Sequence, residues 1–174
     1  LKISDPQITD GFLILKAYEK WGENCVNYLI GAFVFALWDE KHQKLFCARD
    51  QIGIRPFYYT HNTESFAFAS EKKGLLVIPD FDRAYNYDYV LNQLAFNQQE
   101  VTHTFYKNVF RLLPAHTLTW QNGQISIKRY WDLDLNKDIR FKKDEGYPQG
   151  MYYLSLPNNQ FVQIILGEDQ KFEM

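Results

Sequence analysis

With 174 residues, 46% of them hydrophobic and 17% aromatic, the chain can bury one sizeable core, which excludes a disordered polypeptide and makes one principal domain the default. The formal net charge is −2, and lysine and arginine are scattered along the sequence, so no electrostatic footprint points to nucleic acid or an anionic membrane surface as partner. The longest apolar runs fall short of the ~20 residues of a membrane span, and the first residues lack a basic-then-apolar signal pattern.

Residues 1–8 form a short polar entry. Thr9 or Asp10 is suited to cap the helix that follows. In that helix Ile14, Ala17, Tyr18 and Trp21 recur at i, i+3, i+4 and i+7 to give one apolar face, and Gly22 ends it by tolerating a left-handed conformation. Residues 24–29 add a short helical turn that holds Cys25. Residues 32–38 are apolar throughout, which predicts a strand covered on both faces. A polar turn over 39–43 leads to a second strand over 45–48, closed by Arg49 and Asp50. Gly53 and Pro56 fix the next loop before Phe57, Tyr58 and Tyr59 resume extended structure.

Residues 59–70 read as strand, turn, strand, with Phe66 and Phe68 alternating with Ala67 and Ala69 so that the aromatics share a face. A short helix over 71–77 is stopped by Pro79. A second helix candidate covers 86–97, with Val90, Leu91, Leu94 and Phe96 as an apolar set suited to packing. Asn122-Gly123 is the preferred type I′ pair, and the hairpin register it sets places Trp120 opposite Ile125, Leu118 opposite Ile127 and His116 opposite Arg129. His116 lacks the neighbours of a metal or acid–base site and reads as a surface residue. Residues 133–145 read as a charged linker; beyond it Gly146, Pro148, Gly150 and Pro157 interrupt any helix and leave 161–166 as a lone short strand.

The two cysteines, Cys25 and Cys47, have no metal-ligand spacing and read as reduced, buried thiols, so a cytoplasmic location is expected and no metal site. Arg49, Asp50, Arg55, Ser70 and Glu71 stand at strand ends, where polar residues form either a ligand cluster or ion pairs and caps that fix loops. The structural alternative is favoured, since ion pairs near strand ends are frequent.

Residues 31–39, then Ala48-Arg49-Asp50, Gly53, Arg55-Pro56-Phe57-Tyr58-Tyr59 and Phe68-Ala69-Ser70-Glu71, resemble the glutaminase domain of asparagine synthetases, which are class II glutamine amidotransferases. The Phe105-Tyr106, Arg111-Leu112 and Tyr130-Trp131-Asp132 groups are similar too, so the resemblance spans roughly residues 9–132. It implies an α+β fold: a four-layer α/β/β/α sandwich of N-terminal-nucleophile hydrolase type, with N-terminal strands missing. Edges and sheet faces left open in that way would favour a homo-oligomer or poor solubility. The implied organisation is a partial glutaminase domain over 1–132, the linker, and a divergent or out-of-frame tail over 146–174, with the synthetase domain absent. Glutamine is the implied substrate and the missing synthetase domain the implied partner. ATP and magnesium are implied for that missing domain alone, and no cofactor is expected in this chain.

In that family an Asp eight residues before the Tyr of the first helix accepts hydrogen bonds from the α-amino group of glutamine. Asp10 stands in that place relative to Tyr18 and is the one substrate-binding candidate; the alternative leaves it a helix cap. Two positions on, where the family usually carries an acidic residue, this chain has Phe12. The family's nucleophile is an N-terminal Cys whose own α-amino group is the base. This sequence starts with Leu1, so nucleophile, carboxylate-binding Arg and Asn-Gly oxyanion segment are expected upstream of it, and no residue here is expected to be catalytic. Loss of an oxyanion donor alone costs on the order of 10²–10³ in rate. Cys25 and Cys47, internal and in packed elements, are expected to be structural.

Two functions follow from the resemblance. In one, the chain is a fragment, inactive as given, of a glutamine-dependent amidoligase whose glutaminase supplies ammonia for ATP-dependent amidation of aspartate. In the other it is a non-catalytic scaffold domain of a related peptide- or lactam-bond-forming enzyme, an alternative that Phe12 favours.

Overall fold

The computed structural model describes residues 9–96, 101–133, 151–156 and 160–165. Residues 1–8, and the linker of 133–145 beyond its first residue, lie outside them. The chain divides into two units, 1–131 and 132–174.

The first unit opens with helix α1 (Asp10–Trp21). Thr9 is its cap: the extended Thr9 backbone lets the hydroxyl accept a hydrogen bond from the Phe12 amide at 3.4 Å. Gly22, at φ 60, turns the chain out of the helix and into a 3₁₀ turn (Gly22–Tyr28). Strands β1 (Val34–Asp39) and β2 (Lys44–Arg49) form an antiparallel hairpin. β2 also pairs with β6 (His116–Gln121), which pairs with β7 (Gln124–Arg129), giving the order β1-β2-β6-β7. The β6–β7 turn has φ 51 at Asn122 and φ 75 at Gly123, as the type I′ turn requires. The register is the expected one, with Trp120 opposite Ile125, Leu118 opposite Ile127 and His116 opposite Arg129.

Strand alternation sends the residues of this sheet to two different cores. On one face Phe46 and Ala48, with Phe33 and Phe35, pack against Ala17, Tyr18 and Trp21 of α1 and Cys25 and Val26 of the 3₁₀ turn. The helix of Tyr18 and the strand of Phe35 therefore meet on Phe46, with ring centroids 5.6 and 5.9 Å away. On the other face Cys47 and Leu118, with Val34, Ala36, Leu45, Trp120 and Ile125, pack against Phe57, Tyr59, Phe66, Phe110 and Leu112. Those residues belong mostly to a second sheet of β3 (Tyr58–His61), β4 (Phe66–Ala69) and β5 (Phe110–Arg111), in the order β4-β3-β5. Both sheets are antiparallel, so the unit mixes helices with antiparallel sheets in the α+β manner. Helix α2 (Lys72–Leu75) follows β4, and α3 (Tyr87–Leu94) is capped by the Asn86 carboxamide on the Tyr89 amide.

One expectation needs refining and two need correction. The all-apolar strand is β1, and among the described residues it is the outer strand of its sheet. Leu37 alone of its residues is buried, and Trp38 is about half exposed. β1 is covered on both faces as expected, by the α1 side at Phe35 and by the second sheet at Val34 and Ala36, but β2, paired on both sides, is the deeper strand, with Phe46 to Arg49 all buried. Helix α3 packs through Tyr89, whose ring meets that of Phe105 edge-on at 5.2 Å, while Leu91, Leu94 and Phe96 are exposed. The strand expected alone over 161–166 is β9 (Gln160–Ile165), paired antiparallel with β8 (Met151–Leu156) in the second unit.

Candidate functional site

The loop after β2 is held by a dense set of polar contacts. Arg49 is 7% exposed and Asp50 wholly buried. The Arg49 guanidinium donates to three backbone carbonyls, those of Arg55 (2.6 Å), Gly53 (2.6 Å) and Leu112 (2.7 Å). Burial pushes its basicity down, and the neighbouring Asp50 carboxylate opposes that. Asp50 Oδ1 accepts from the Ile52 and Ile54 amides at 3.2 and 3.0 Å, and Oδ2 from the Arg55 amide at 3.2 Å. Gly53 sits at φ +71, where an added Cβ would lie 2.7 Å from Pro114 Cγ. Arg49 and Asp50 thus hold the loop from both sides, which is the structural role the sequence favoured. Ser70 and Glu71 do not join them; both line a separate cleft with Pro56, Tyr58, Lys72 and Lys73.

Asp10 is the first residue of α1 and is exposed. Because Thr9 supplies the cap, the Asp10 carboxylate is not used for it, and among the described residues it has no hydrogen-bond partner. A carboxylate in the first helical turn is favoured by the helix dipole and stays available to an incoming ammonium. Phe12 is also exposed, with Lys16 Nζ 5.7 Å from its ring centroid.

The two thiols are ill suited to chemistry. Both are free and fully buried, Cys25 against α1 and Cys47 between the two sheets. Burial pushes Cys25 up to about 11 and Cys47 up to about 12. At neutral pH the thiolate fraction is then ~10⁻⁴ or less, and the thiolate is the reactive form. His116 faces Arg129, and its Nδ1 lies 2.7 Å from the Pro114 carbonyl, so it fixes a turn. Among the described residues no group of three His, Cys, Asp or Glu could hold a metal ion. No helix there is long and apolar enough to cross a membrane.

One polar group escaped the sequence reading. Asp39 accepts from Tyr18 Oη at 2.9 Å and from the His42 amide at 3.1 Å, and its Oδ2 lies 2.8 Å from His42 Nδ1. The His42 hydrogen bond, helped by the Tyr18 hydroxyl, lowers the Asp39 carboxyl to about 2. That is below an unfolded aspartate, so its contribution is complete above about pH 4 and disappears as the pH falls toward 2. Thermal melts across that window are expected to show an acid-side slope that Asp39→Asn flattens; an unchanged slope would contradict the assignment. The Asp39-x-x-His42 spacing in a turn was the available signal.

A glutamine amidotransferase domain profile matches residues 7–131, and the chain belongs to that family. It is 36% identical over 130 residues to the glutamine-hydrolyzing asparagine synthetase 3 of Bacillus subtilis, covering 74% of this chain and 21% of that protein. Asparagine synthetase 2 of the same organism is 31% identical over 152 residues, covering 83% and 20%. Amidase chry2 of Gibberella zeae is 30% identical over 138 residues, covering 76% and 20%. The chain spans about a fifth of the length of these curated relatives.

Proposed function

We propose that residues 9–132 are the glutamine-holding part of an asparagine synthetase-like, glutamine-dependent amidoligase. Asp10 binds the substrate's α-amino group, and the chain's own thiols take no part in the chemistry. The observation that carries this is the exposed Asp10 carboxylate, left free by the Thr9 cap at the start of α1, inside the segment that matches the family. A carboxylate accepting from an ammonium makes a short, charge-assisted bond that both orients glutamine and discriminates against ligands without the amine. In this proposal the fold is of N-terminal-nucleophile hydrolase type. The helix layer of α1, the two packed sheets, and α2 and α3 would make up its four layers.

The whole enzyme would hydrolyse glutamine and pass ammonia to an ATP-dependent step that amidates aspartate, in a cytoplasmic protein able to self-associate. ATP and magnesium belong to the synthetase domain in this proposal. The described residues offer no three-residue acidic or His/Cys cluster for the metal, and no step here runs through either. A second reading is favoured by Phe12, which stands exposed two residues beyond Asp10 where the family usually carries an acid. In that reading the domain is a scaffold that no longer binds glutamine.

The buried thiols make one outcome decisive. The purified chain is expected to release no ammonia from glutamine above background. Release that is abolished by Cys25→Ala or Cys47→Ala would overturn the assignment of both as structural.

A further inference from the structure

We propose that the cleft between the start of β3 and α2 binds a small doubly charged oxyanion, a phosphate or dicarboxylate group, held by Lys72 and Arg111 beside the ring of Tyr58. The cleft has a volume of about 430 Å³ and is lined by Pro56, Tyr58, Ser70, Glu71, Lys72 and Lys73. That is the small end of ligand-pocket sizes and suits a small molecule.

The register of the second sheet builds the site. Tyr58 opposes Ala69 of β4 on one side and Arg111 of β5 on the other, so residues far apart in sequence converge on one ring. Arg111 Cζ lies 5.8 Å from the Tyr58 centroid; Lys72 Nζ lies 5.6 Å from it and 5.3 Å from that of Phe105. Tyr58, Lys72 and Arg111 are all half-buried, so a ligand would meet side chains already ordered and lose less entropy on binding.

Among the described residues neither cation has a carboxylate partner. The carboxylate of Glu71, at the cleft wall, is taken by Lys73 at 2.6 Å. Among the described residues the Arg111 guanidinium meets an oxygen at the Val101 carbonyl, 3.5 Å away, while its backbone amide donates to the Thr102 carbonyl. Arg49, buried behind Arg111, feels its charge, and Arg55 belongs to the loop that leads into Pro56. Arg49, Arg55, Lys72, Lys73 and Arg111 thus stand against Asp50 and Glu71, on a chain whose net charge is −2. Two cations beside one ring repel until a counter-charge sits between them. An oxyanion supplies it: the guanidinium fork suits two of its oxygens, the ammonium a third, and the Ser70 hydroxyl at the wall can donate as well.

The test is a ¹H–¹⁵N NMR titration of the full chain at low ionic strength with inorganic phosphate, and with succinate in a separate arm. Saturable shifts confined to residues 56–58, 70–73 and 111 are expected with at least one of them, and the arm that responds identifies the oxyanion. Lys72→Gln and Arg111→Gln are each expected to weaken binding ~10-fold or more, whereas Lys20→Gln, on α1, leaves it unchanged. If Arg111→Gln fails to fold, Lys72→Gln decides, since the Lys72 ammonium meets two rings and, among the described residues, no carboxylate. Absence of saturable shifts in both arms, shifts spread over the basic surface, or equal binding by Lys72→Gln would overturn the proposal.

Discussion

Replacing Asp50 with alanine is expected to lower the unfolding free energy of the first unit by about 3–5 kcal/mol, the largest loss from any single change considered. The carboxylate is wholly buried and accepts from the amides of Ile52, Ile54 and Arg55. Alanine leaves those donors without an acceptor and Arg49, 7% exposed, without its adjacent counter-charge. Whole domains are stable by only about 5–15 kcal/mol, so the variant should populate unfolded chain at ambient temperature. Asparagine should cost less, since its amide oxygen keeps one acceptor while its NH₂ faces donors. Urea unfolding followed by far-UV circular dichroism reads the difference. A loss under about 1 kcal/mol for Asp50→Ala would mean that the backbone bonds from Asp50 to Phe33, Gly53 and Ala115 hold the loop alone.

The second large effect concerns Asp10. On the proposed function, Asp10→Asn in a complete glutamine-dependent amidoligase carrying this domain is expected to raise the glutamine KM ~10–100-fold, equivalent to about 1.5–3 kcal/mol for a hydrogen bond to a charged group. Activity with free ammonia should stay the same, because the substitution touches only the glutamine amine. Stability should hardly change, since Asp10 is exposed and Thr9 is the cap. A change that instead lowered both activities together would point to misfolding of α1.

Much of this fold was legible because its signals are local. The Thr9-to-Gly22 helix, the Asn122-Gly123 hairpin with its register, and the polar turn between β1 and β2 each follow from residues within a few positions of one another. What was hidden depends on strand order. An apolar run such as 32–38 announces cover on two faces and does not say that β2 takes the centre and β1 the outside. The apolar set of α3 has helical spacing, yet packing selected Tyr89, whose ring has Phe105 to meet. Asp10 could be singled out only through the family resemblance, by its place eight residues before Tyr18, whereas its freedom from capping needed coordinates. Lysine and arginine that look scattered are gathered at Tyr58 only once β3 lies between β4 and β5.

That Asp10 holds the amine of glutamine is tested most directly by comparing glutamine with N-acetylglutamine, whose α-nitrogen is uncharged, in titrations of the unsubstituted parent and its Asp10→Asn variant. The parent is expected to prefer glutamine by ~10-fold or more, and the variant to lose that preference while binding N-acetylglutamine as the parent does. Equal preference in parent and variant would contradict the assignment.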